Sequence, residues 1–178
     1  MFIRGWPVTG PRKETLDRGF LFRYYHTEMT NRGHQSGSGP FRVSEAANLG
    51  LHALAVIAAG PEPIARTREI AARLKASAAH LAKVMVVLEH AGLVTGTRGP
   101  TGGYRLNRPA RQISLREIYE AVEGPMQARA CLFSEPVCDT AGCALSSYFG
   151  KLNRDVMRTL ERTRLTDLVK EFGGRNGK

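Results

Sequence analysis

The sequence predicts a mostly helical fold with a small β-hairpin: a winged helix-turn-helix domain followed by a long C-terminal dimerisation helix. Three observations carry this prediction. Two short helices with apolar stripes are joined by a tight turn within residues 67–90. A glycine-rich hairpin follows the second of them directly, and a long helix with a single apolar seam starts near residue 145. The helix pair alone is a weak signal, and the hairpin after it favours the winged arrangement.

Composition is that of an ordinary folded protein with a strong positive charge. The chain has 178 residues, of which 42% are apolar, enough for one domain with a real core. Its formal net charge of +10 favours nucleic acid as a partner, although a merely basic, soluble surface would give the same charge. No apolar run approaches the ~18 residues of a membrane span, and Met1–Arg12 lacks the apolar core of a secretory signal. We therefore expect a cytoplasmic protein without a membrane partner.

The chain divides into four segments. Residues 1–40 end in a glycine- and serine-rich stretch and are predicted to be a flexible N-terminal extension, to which no function is assigned. Residues 41–124 carry the predicted winged helix-turn-helix domain. Residues 125–144 form a cysteine-bearing loop, and residues 145–178 contain the dimerisation helix and a C-terminal tail.

The three helices of the winged domain have recognisable boundaries. Ser44 is a good N-cap for the first helix, and Gly60-Pro61 ends it. The second helix spans residues 67–74. A tight connection then leads into a third helix from Ser77 to about His90. Apolar residues recur at helical spacing on these helices: Leu51, Leu54, Ala55 and Ala58, then Ile70, Ala71 and Leu74, then Leu81, Val84, Met85 and Leu88.

The hairpin after the third helix is the predicted wing. Residues 93–98 and 104–107 have strand character, and residues 99–103 form the turn between them. Residues 114–117 are a Ser-x-x-Glu capping box that opens a fourth helix, which Gly124 and the proline after it end.

The start of the third helix is the expected reader of bases in the major groove of DNA. Ser77 and His80 can hydrogen-bond to bases or phosphates, and Lys83 follows one turn later. Alternatively, Ser77 is simply the helix cap and His80 a half-buried surface residue. The glycines of the basic wing let its backbone approach phosphates or a narrow minor groove, although a simple turn with solvated arginines has the same composition. The candidate DNA-contacting residues are Thr67, Ser77, Ala79, His80, Lys83, Arg98, Gly99, Thr101, Gly102, Gly103 and Arg105.

The long helix has apolar residues along one side and basic residues elsewhere. Such a seam needs a partner, which is either the helix's own domain or a second copy of the chain. We favour a homodimer, because palindromic DNA sites are bound by two-fold symmetric dimers. A short terminal helix then contains Leu165, Leu168 and Phe172. The seam residues are Leu145, Phe149, Leu152, Val156 and Leu160.

The wing and the helix after it resemble the Rrf2 family of transcriptional regulators, which includes iron–sulfur regulators of cluster biogenesis and nitric-oxide-sensing repressors. The resemblance covers about residues 41–172. It implies a regulator, expected to be a repressor, that binds a palindromic operator in double-stranded DNA as a homodimer. Family members with cysteines hold a sensory iron–sulfur cluster, and members without them bind DNA alone. The matching residues are Gly92-Leu93-Val94, Arg98-Gly99-Pro100-Thr101-Gly102-Gly103-Tyr104-Arg105-Leu106, Ile113-Ser114-Leu115-Arg116-Glu117-Ile118 and Ala121-Val122-Glu123-Gly124.

All three cysteines of the chain, Cys131, Cys138 and Cys143, fall in one loop. Cysteines placed by core packing would scatter along the chain, so this grouping indicates one shared task. Thiolates are the usual ligands of iron–sulfur clusters. The resembling regulators have three cysteines here, commonly with five residues in each gap, whereas this chain has six and four. The resemblance implies a 2Fe–2S or 4Fe–4S cluster that senses redox state, nitric oxide or iron, with Cys138 as the least regular ligand.

The resemblance also bears on a fourth ligand. Some family members use a histidine three residues after the last cysteine, where this chain has Ser146, a poor ligand. Others use the first helix of the opposite subunit, and matching the family start to Phe41 places Asn48 and His52 at the positions used there. Imidazole is a competent iron ligand, so His52 is preferred and Asn48 is the weaker alternative. His52 could equally be an ordinary interface histidine.

Three other interpretations are open at this point. A regulator without a cluster would sense thiol oxidation or a small ligand directly. A zinc-stabilised interaction module would use the three cysteines and a histidine, although structural zinc sites usually have tighter cysteine pairs. An enzyme is disfavoured, because the sequence has no Cys-x-x-Cys pair, no glycine-rich phosphate loop after a strand and no metalloprotease motif.

Overall fold

The computed structural model describes residues 43–62, 64–99, 102–127 and 143–173. Their fold is mostly helical with one two-stranded antiparallel hairpin, as predicted. None of the helices in these ranges is both long and apolar enough to cross a membrane. The elements in order are α1 (Glu45–Ala59), α2 (Thr67–Leu74), α3 (Ala78–His90), β1 (Val94–Thr97), β2 (Gly103–Leu106), a 3-10 turn (Ala110–Gln112), α4 (Leu115–Glu123), α5 (Ala144–Arg162) and α6 (Leu165–Gly173).

Three serine caps set the starts of the helices that build the domain. The Ser44 hydroxyl accepts from the Ala47 N–H at 3.0 Å, and the Ser77 hydroxyl accepts from the His80 N–H at 3.4 Å. At α4 the Ser114 hydroxyl accepts from the Glu117 N–H at 3.2 Å, while the Glu117 carboxylate accepts from the Ser114 N–H at 2.9 Å. Each cap satisfies backbone donors that the first turn leaves unpaired. The predicted helix starts are therefore confirmed.

Helix α1 lies at the centre of the core. It packs against α2, α3, α4, α6 and β2. Leu54 is fully buried, and small residues beside it let the neighbouring helices approach closely. The predicted apolar stripe of α3 is also buried. The buried residues of α1 are Ala46, Ala47, Leu49, Gly50, Ala53, Leu54, Ala55, Val56 and Ile57.

A left-handed residue makes the turn between α2 and α3. Lys75 ends α2 with a φ of 53°, and the Ala76 N–H donates to the Ala71 carbonyl at 2.9 Å. Ser77 then caps α3, so the connection takes three residues, as the sequence predicts. This short turn fixes the helix-turn-helix geometry, because it leaves little freedom between the two helices.

Hydrogen bonds hold the two strands of the hairpin after α3 together and join β2 to another segment of the domain. Val94 pairs with Leu106 and Gly96 with Tyr104 in the antiparallel register. β2 also bonds to the segment before α2: the Ala65 N–H donates to the Tyr104 carbonyl at 2.9 Å, and the Tyr104 N–H donates to the Ala65 carbonyl at 2.8 Å. The sequence does not predict this third strand-like partner, which turns a marginal two-stranded hairpin into a braced one.

Helix α5 is largely exposed. It packs against α4, where the Arg116 guanidinium lies 2.9 Å from the Glu120 carboxylate and 3.2 Å from that of Glu161. Leu145 and Tyr148 at its start have 58% and 65% of their surface exposed. The other predicted seam residues of α5 are half-buried: Phe149, Leu152, Val156 and Leu160.

The short terminal helix α6 belongs to the core of the winged domain. Leu165 is fully buried, and α6 packs against α1. The Leu165 N–H donates to the Ile113 carbonyl at 2.9 Å, and the Leu115 N–H donates to the Thr163 carbonyl at 3.0 Å. The sequence predicted this short helix as part of the C-terminal segment 145–178, and the structure adds that it packs against α1.

Replacing Leu165 by alanine tests this packing. Removing a fully buried leucine side chain leaves a cavity, so Leu165→Ala is expected to lower the free energy of unfolding by about 2–5 kcal/mol. Leu168→Ala in the same helix is the control, because Leu168 is half-buried and its loss should be clearly smaller. Urea denaturation followed by circular dichroism measures both. Equal effects of the two variants would contradict the placement of α6 in the core.

Candidate nucleic-acid interface

The first turn of α3 presents small and polar side chains at the surface. Ser77 and Ala79 are exposed, His80 is half-buried, and Lys83 follows one turn later as a half-buried residue. The backbone N–H groups of a helix start attract anions such as phosphate. Small side chains at this point allow the helix to come close to a partner. The residues that the sequence predicted as readers thus lie at the accessible end of the helix.

An acidic residue of α1 joins this surface. The Glu45 carboxylate oxygen Oε1 lies 3.4 Å from His80 Nδ1. Glu45 is the first residue of α1, and His80 lies in the first turn of α3, so the two helix starts meet here. Glu45 could not be predicted from the sequence, because no local pattern shows that these two helix starts adjoin.

The wing presents two arginines. Arg98 follows β1 and is exposed, as is Gly99 next to it. Arg105 lies on β2 opposite Thr95 and is also exposed, while Tyr104 and Leu106 on either side of it are half-buried. This alternation is what a strand with one packed face produces. Thr101 lies outside the described residues.

Side chains from outside the turn hold the wing in place. The Glu89 carboxylate at the end of α3 accepts from the Gly96 N–H at 3.1 Å. The Asn107 amide donates to the Gly92 carbonyl at 2.9 Å and to the Val94 carbonyl at 3.2 Å. Burial, and then the nearby Glu89 charge, raise the pKa of Tyr104 above its ordinary value, so its phenol stays neutral. Because α3 also packs against β1, the helix and the wing form one unit.

Two wing glycines are required by the protein's own backbone. A Cβ at Gly102 would lie 2.2 Å from the Thr97 carbonyl oxygen, and one at Gly103 would lie 2.5 Å from the Ala65 carbonyl oxygen. Both distances are far below van der Waals contact. Gly99 has open space around it but a φ of +115°, which side chains disfavour. These glycines were expected to let the wing approach DNA, and the structure adds an internal reason for all three.

Of the other predicted contacts, Thr67 is half-exposed as the first residue of α2. It follows Arg66, whose guanidinium lies 3.4 Å from the Glu69 carboxylate. Thr67 therefore lies at the start of the helix that precedes α3, as the sequence predicted.

The candidate cofactor ligands are only partly within the described residues. Cys143 caps α5, with its Sγ accepting from the Ser146 N–H at 3.4 Å, and it is half-exposed. Cys131 and Cys138 lie outside the described residues. Within the described ranges, no three or more histidine, cysteine, aspartate or glutamate side chains gather as a metal site.

The two candidate ligands on α1 are neighbours on one helical face. His52 Nδ1 lies 2.8 Å from the Asn48 carbonyl oxygen, one turn earlier. A carbonyl only accepts, so Nδ1 carries the proton, and the neutral imidazole has its lone pair on Nε2. This is the tautomer in which a histidine binds a metal through Nε2. Both residues are half-buried.

The match to a family model covers most of this fold. The model of Rrf2, described as an iron-dependent transcriptional regulator, matches residues 43–171. The chain belongs to the Rrf2 family. The matched range begins just before α1 and ends within α6, so it includes α3, the hairpin after it and the three cysteines. Rrf2 proteins are DNA-binding transcriptional regulators. The predicted family and the predicted winged-helix fold are therefore confirmed.

Individual Rrf2 proteins resemble the chain along most of their own length. The HTH-type transcriptional regulator IscR of Cereibacter sphaeroides is 37% identical over 105 residues, which are 57% of this chain and 68% of that protein. The structure of CymR, the global cysteine regulator of B. subtilis, has a TM-score of 0.63 and 25% identity, covering 74% of this chain and 98% of that one. The structure of T. potens IscR has a TM-score of 0.60 and 27% identity, covering 80% and 96%.

Replacing Gly103 by alanine tests how the wing of this Rrf2 chain is held. The added Cβ would force β2 away from Ala65, so Gly103→Ala is expected to lower stability by about 1–3 kcal/mol. It should also remove hydrogen-exchange protection from the Ala65 and Tyr104 amides. Gly60→Ala is the control, because its Cβ would meet neighbours only at ordinary contact distance, 3.5 Å or more. Unchanged protection in Gly103→Ala would contradict the braced wing.

Proposed function

We propose that the chain is a sequence-specific, double-stranded DNA-binding repressor that acts as a homodimer on a palindromic operator in the cytoplasm. One observation carries this proposal: the exposed start of α3 and the exposed arginines of the wing belong to one rigid unit. The net charge of +10 and membership of the Rrf2 family support it. A rigid unit of this kind fits a major groove and the phosphates beside it.

Each part of the unit has its own task on DNA. Ser77, Ala79 and His80 would face base edges, where a good bidentate contact contributes about 1–3 kcal/mol of discrimination. Lys83 and the wing arginines would neutralise phosphates, which gives affinity without sequence preference. Ala79 has no polar atom on its side chain, so its contact would be an apolar one with a thymine methyl group.

The exposed start of α5 supports the homodimer. Leu145 and Tyr148 are large apolar or aromatic side chains with more than half of their surface exposed. The T-shaped contact between Tyr148 and Phe149, with ring centroids 5.6 Å apart, extends this surface. A second copy would cover it by two-fold symmetry and place the two reading helices on one side of the duplex.

We further propose that Cys131, Cys138 and Cys143 hold an iron–sulfur cluster, with His52 of the partner subunit as the preferred fourth ligand and Asn48 as the alternative. Sγ of Cys143 lies at a helix start, where the positive end of the helix dipole favours a negative ligand. The His52 tautomer suits ligation by Nε2. A bound cluster would supply the group that reacts with oxygen, nitric oxide or iron-depleting conditions.

The chain's own part in signalling would be mechanical. Residues 124–143 connect α4, which packs against α1 and α3, to α5 at the proposed dimer surface. A change in the path of this connection would move α5 relative to the reading helices. Half-sites one helical turn apart tolerate little error in that spacing, so DNA affinity would change.

A second candidate function keeps the DNA binding and removes the cluster. The likeness to CymR of Staphylococcus aureus, whose structure is known in an oxidized form, favours direct sensing through thiol chemistry at the same three cysteines. The two candidates differ in their cofactor content and share the DNA-binding unit.

A salt titration tests the DNA-binding unit. Each phosphate contact releases about one counterion, so log affinity should fall linearly with log salt concentration. Arg98→Ala and Lys83→Ala should each weaken binding and reduce the slope by about one. Lys170→Ala, an exposed cation on α6 paired with Asp167, should leave the slope unchanged. Fluorescence anisotropy on a duplex selected from a random pool measures all four proteins. Normal slopes for Arg98→Ala and Lys83→Ala would refute this DNA face.

Anaerobic purification tests the cluster. The wild-type chain should be brown and contain iron and acid-labile sulfide, and Cys138→Ala should lose the colour, the iron and the sulfide together. Ser146→Ala, beside Cys143, is the control and should keep all three, because the bond at Cys143 uses the backbone of Ser146. Full iron and sulfide in Cys138→Ala would refute ligation by that residue. A colourless wild-type protein with normal DNA binding would favour the thiol sensor.

Sedimentation tests the dimer surface. Tyr148→Glu places a charge on the exposed apolar start of α5 and is expected to raise the dimer dissociation constant by about tenfold or more. Lys151→Glu changes an exposed basic residue of the same helix and should have a much smaller effect. An unchanged dissociation constant in Tyr148→Glu would place the dimer surface elsewhere.

A further inference from the structure

We propose that Glu45 is a specificity-determining residue: it controls what His80 presents to DNA and thereby selects against guanine at one position of each half-site. The inference rests on the proposed function, because it assumes that the start of α3 faces base edges. It concerns the carboxylate that α1 contributes to an otherwise basic reading surface.

The contact joins two helix starts that are both capped by serines. Glu45 follows the cap Ser44, and His80 donates its N–H to the cap Ser77 at 3.4 Å. Oε1 of Glu45 lies 3.4 Å from Nδ1 of His80, with side chains 32% and 25% exposed. Both residues lie in helices whose starts are capped, so no loop has to become ordered for the two side chains to meet. Partial burial also reduces the screening of this pair by salt.

The chemistry of the pair determines which hydrogen bonds the other ring nitrogen of His80, Nε2, can make. A carboxylate only accepts hydrogen bonds, so it favours the imidazole form with the proton on Nδ1. In neutral histidine, Nε2 is then an acceptor. Acceptors pair with the amino groups of cytosine N4 or adenine N6 in the major groove, whereas guanine offers only its N7 and O6 acceptors there. The carboxylate can itself accept from cytosine N4.

The negative charge of Glu45 is expected to lower affinity for DNA and to increase discrimination between sequences. The first turn of α3 contains no acidic residue of its own, and Glu45 brings a carboxylate to within 3.4 Å of His80 in that turn. A carboxylate near DNA is repelled by phosphates and lowers affinity for every sequence. Specific interfaces use such repulsive elements to discriminate between partners. Removing the charge should therefore strengthen binding to unselected DNA and weaken discrimination.

Selection from a random pool of double-stranded DNA at pH 8 tests the proposal. The wild-type chain is expected to enrich cytosine or adenine at one symmetric position of each half-site. Glu45→Gln should lower the discrimination against guanine at that position by about tenfold. It should also bind an unselected duplex more tightly. His80→Ala should lose the preference at the same position and keep the others.

Glu69→Gln is the matched control. Glu69 is an exposed carboxylate of the same domain that pairs with Arg66, and its replacement removes the same charge without touching His80. It should leave every base preference unchanged. The proposal is overturned if Glu45→Gln discriminates like the wild type, or if the position that depends on His80 prefers guanine in the wild-type chain. If the wild-type chain enriches no duplex, the proposed function itself fails, and this inference fails with it.

Discussion

The close packing of helix α1 is the constraint on which the rest of the structure depends. Small residues let α2, α3, α4 and α6 all lie against it, and a Cβ at Gly50 would already come within 3.1 Å of the Val122 side chain. Interiors packed at this density transmit displacements instead of absorbing them. Helix α1 also carries Glu45, which lies beside the start of α3, and the candidate ligands Asn48 and His52. The candidate DNA-facing surface and the candidate sensory residues are thus attached to one rigid element.

The wing is likewise held in place by contacts from residues outside its two strands. A two-stranded hairpin is marginal in water, and here the Ala65 segment, Glu89 and Asn107 each hold it by hydrogen bonds. Gly103 makes the Ala65 contact possible, because any side chain there would collide with a carbonyl oxygen. The arginines of the wing are therefore presented at a fixed place relative to α3. In the proposed mode of DNA binding, this rigidity would keep the wing arginines and the start of α3 in one fixed arrangement on each half-site.

Local signals predicted the fold well. The caps at Ser44, Ser77 and Ser114 and the helical spacing of the apolar residues involve neighbours within a few positions, so helix starts and buried faces could be predicted. Contacts between segments that lie far apart in the sequence could not be predicted. The bonds between Ala65 and Tyr104, the meeting of Glu45 with His80 and the burial of Leu165 depend on how the whole chain packs. For the candidate site, the positions of the reading residues followed from the helix-turn-helix pattern. The contact between Glu45 and His80, and the clash that a side chain at Gly103 would cause, could be found only from the three-dimensional structure.

Hydroxyl-radical footprinting of a duplex selected by the full chain tests the central claim most directly. Two copies that each insert α3 into the major groove and brace it with a wing should protect two half-sites whose centres lie about one helical turn apart, on one side of the DNA. The flanking backbone beside each half-site should also be protected where the wing arginines reach it. Protection of a single half-site, or uniform protection without a helical repeat, would contradict a paired, rigid reading unit.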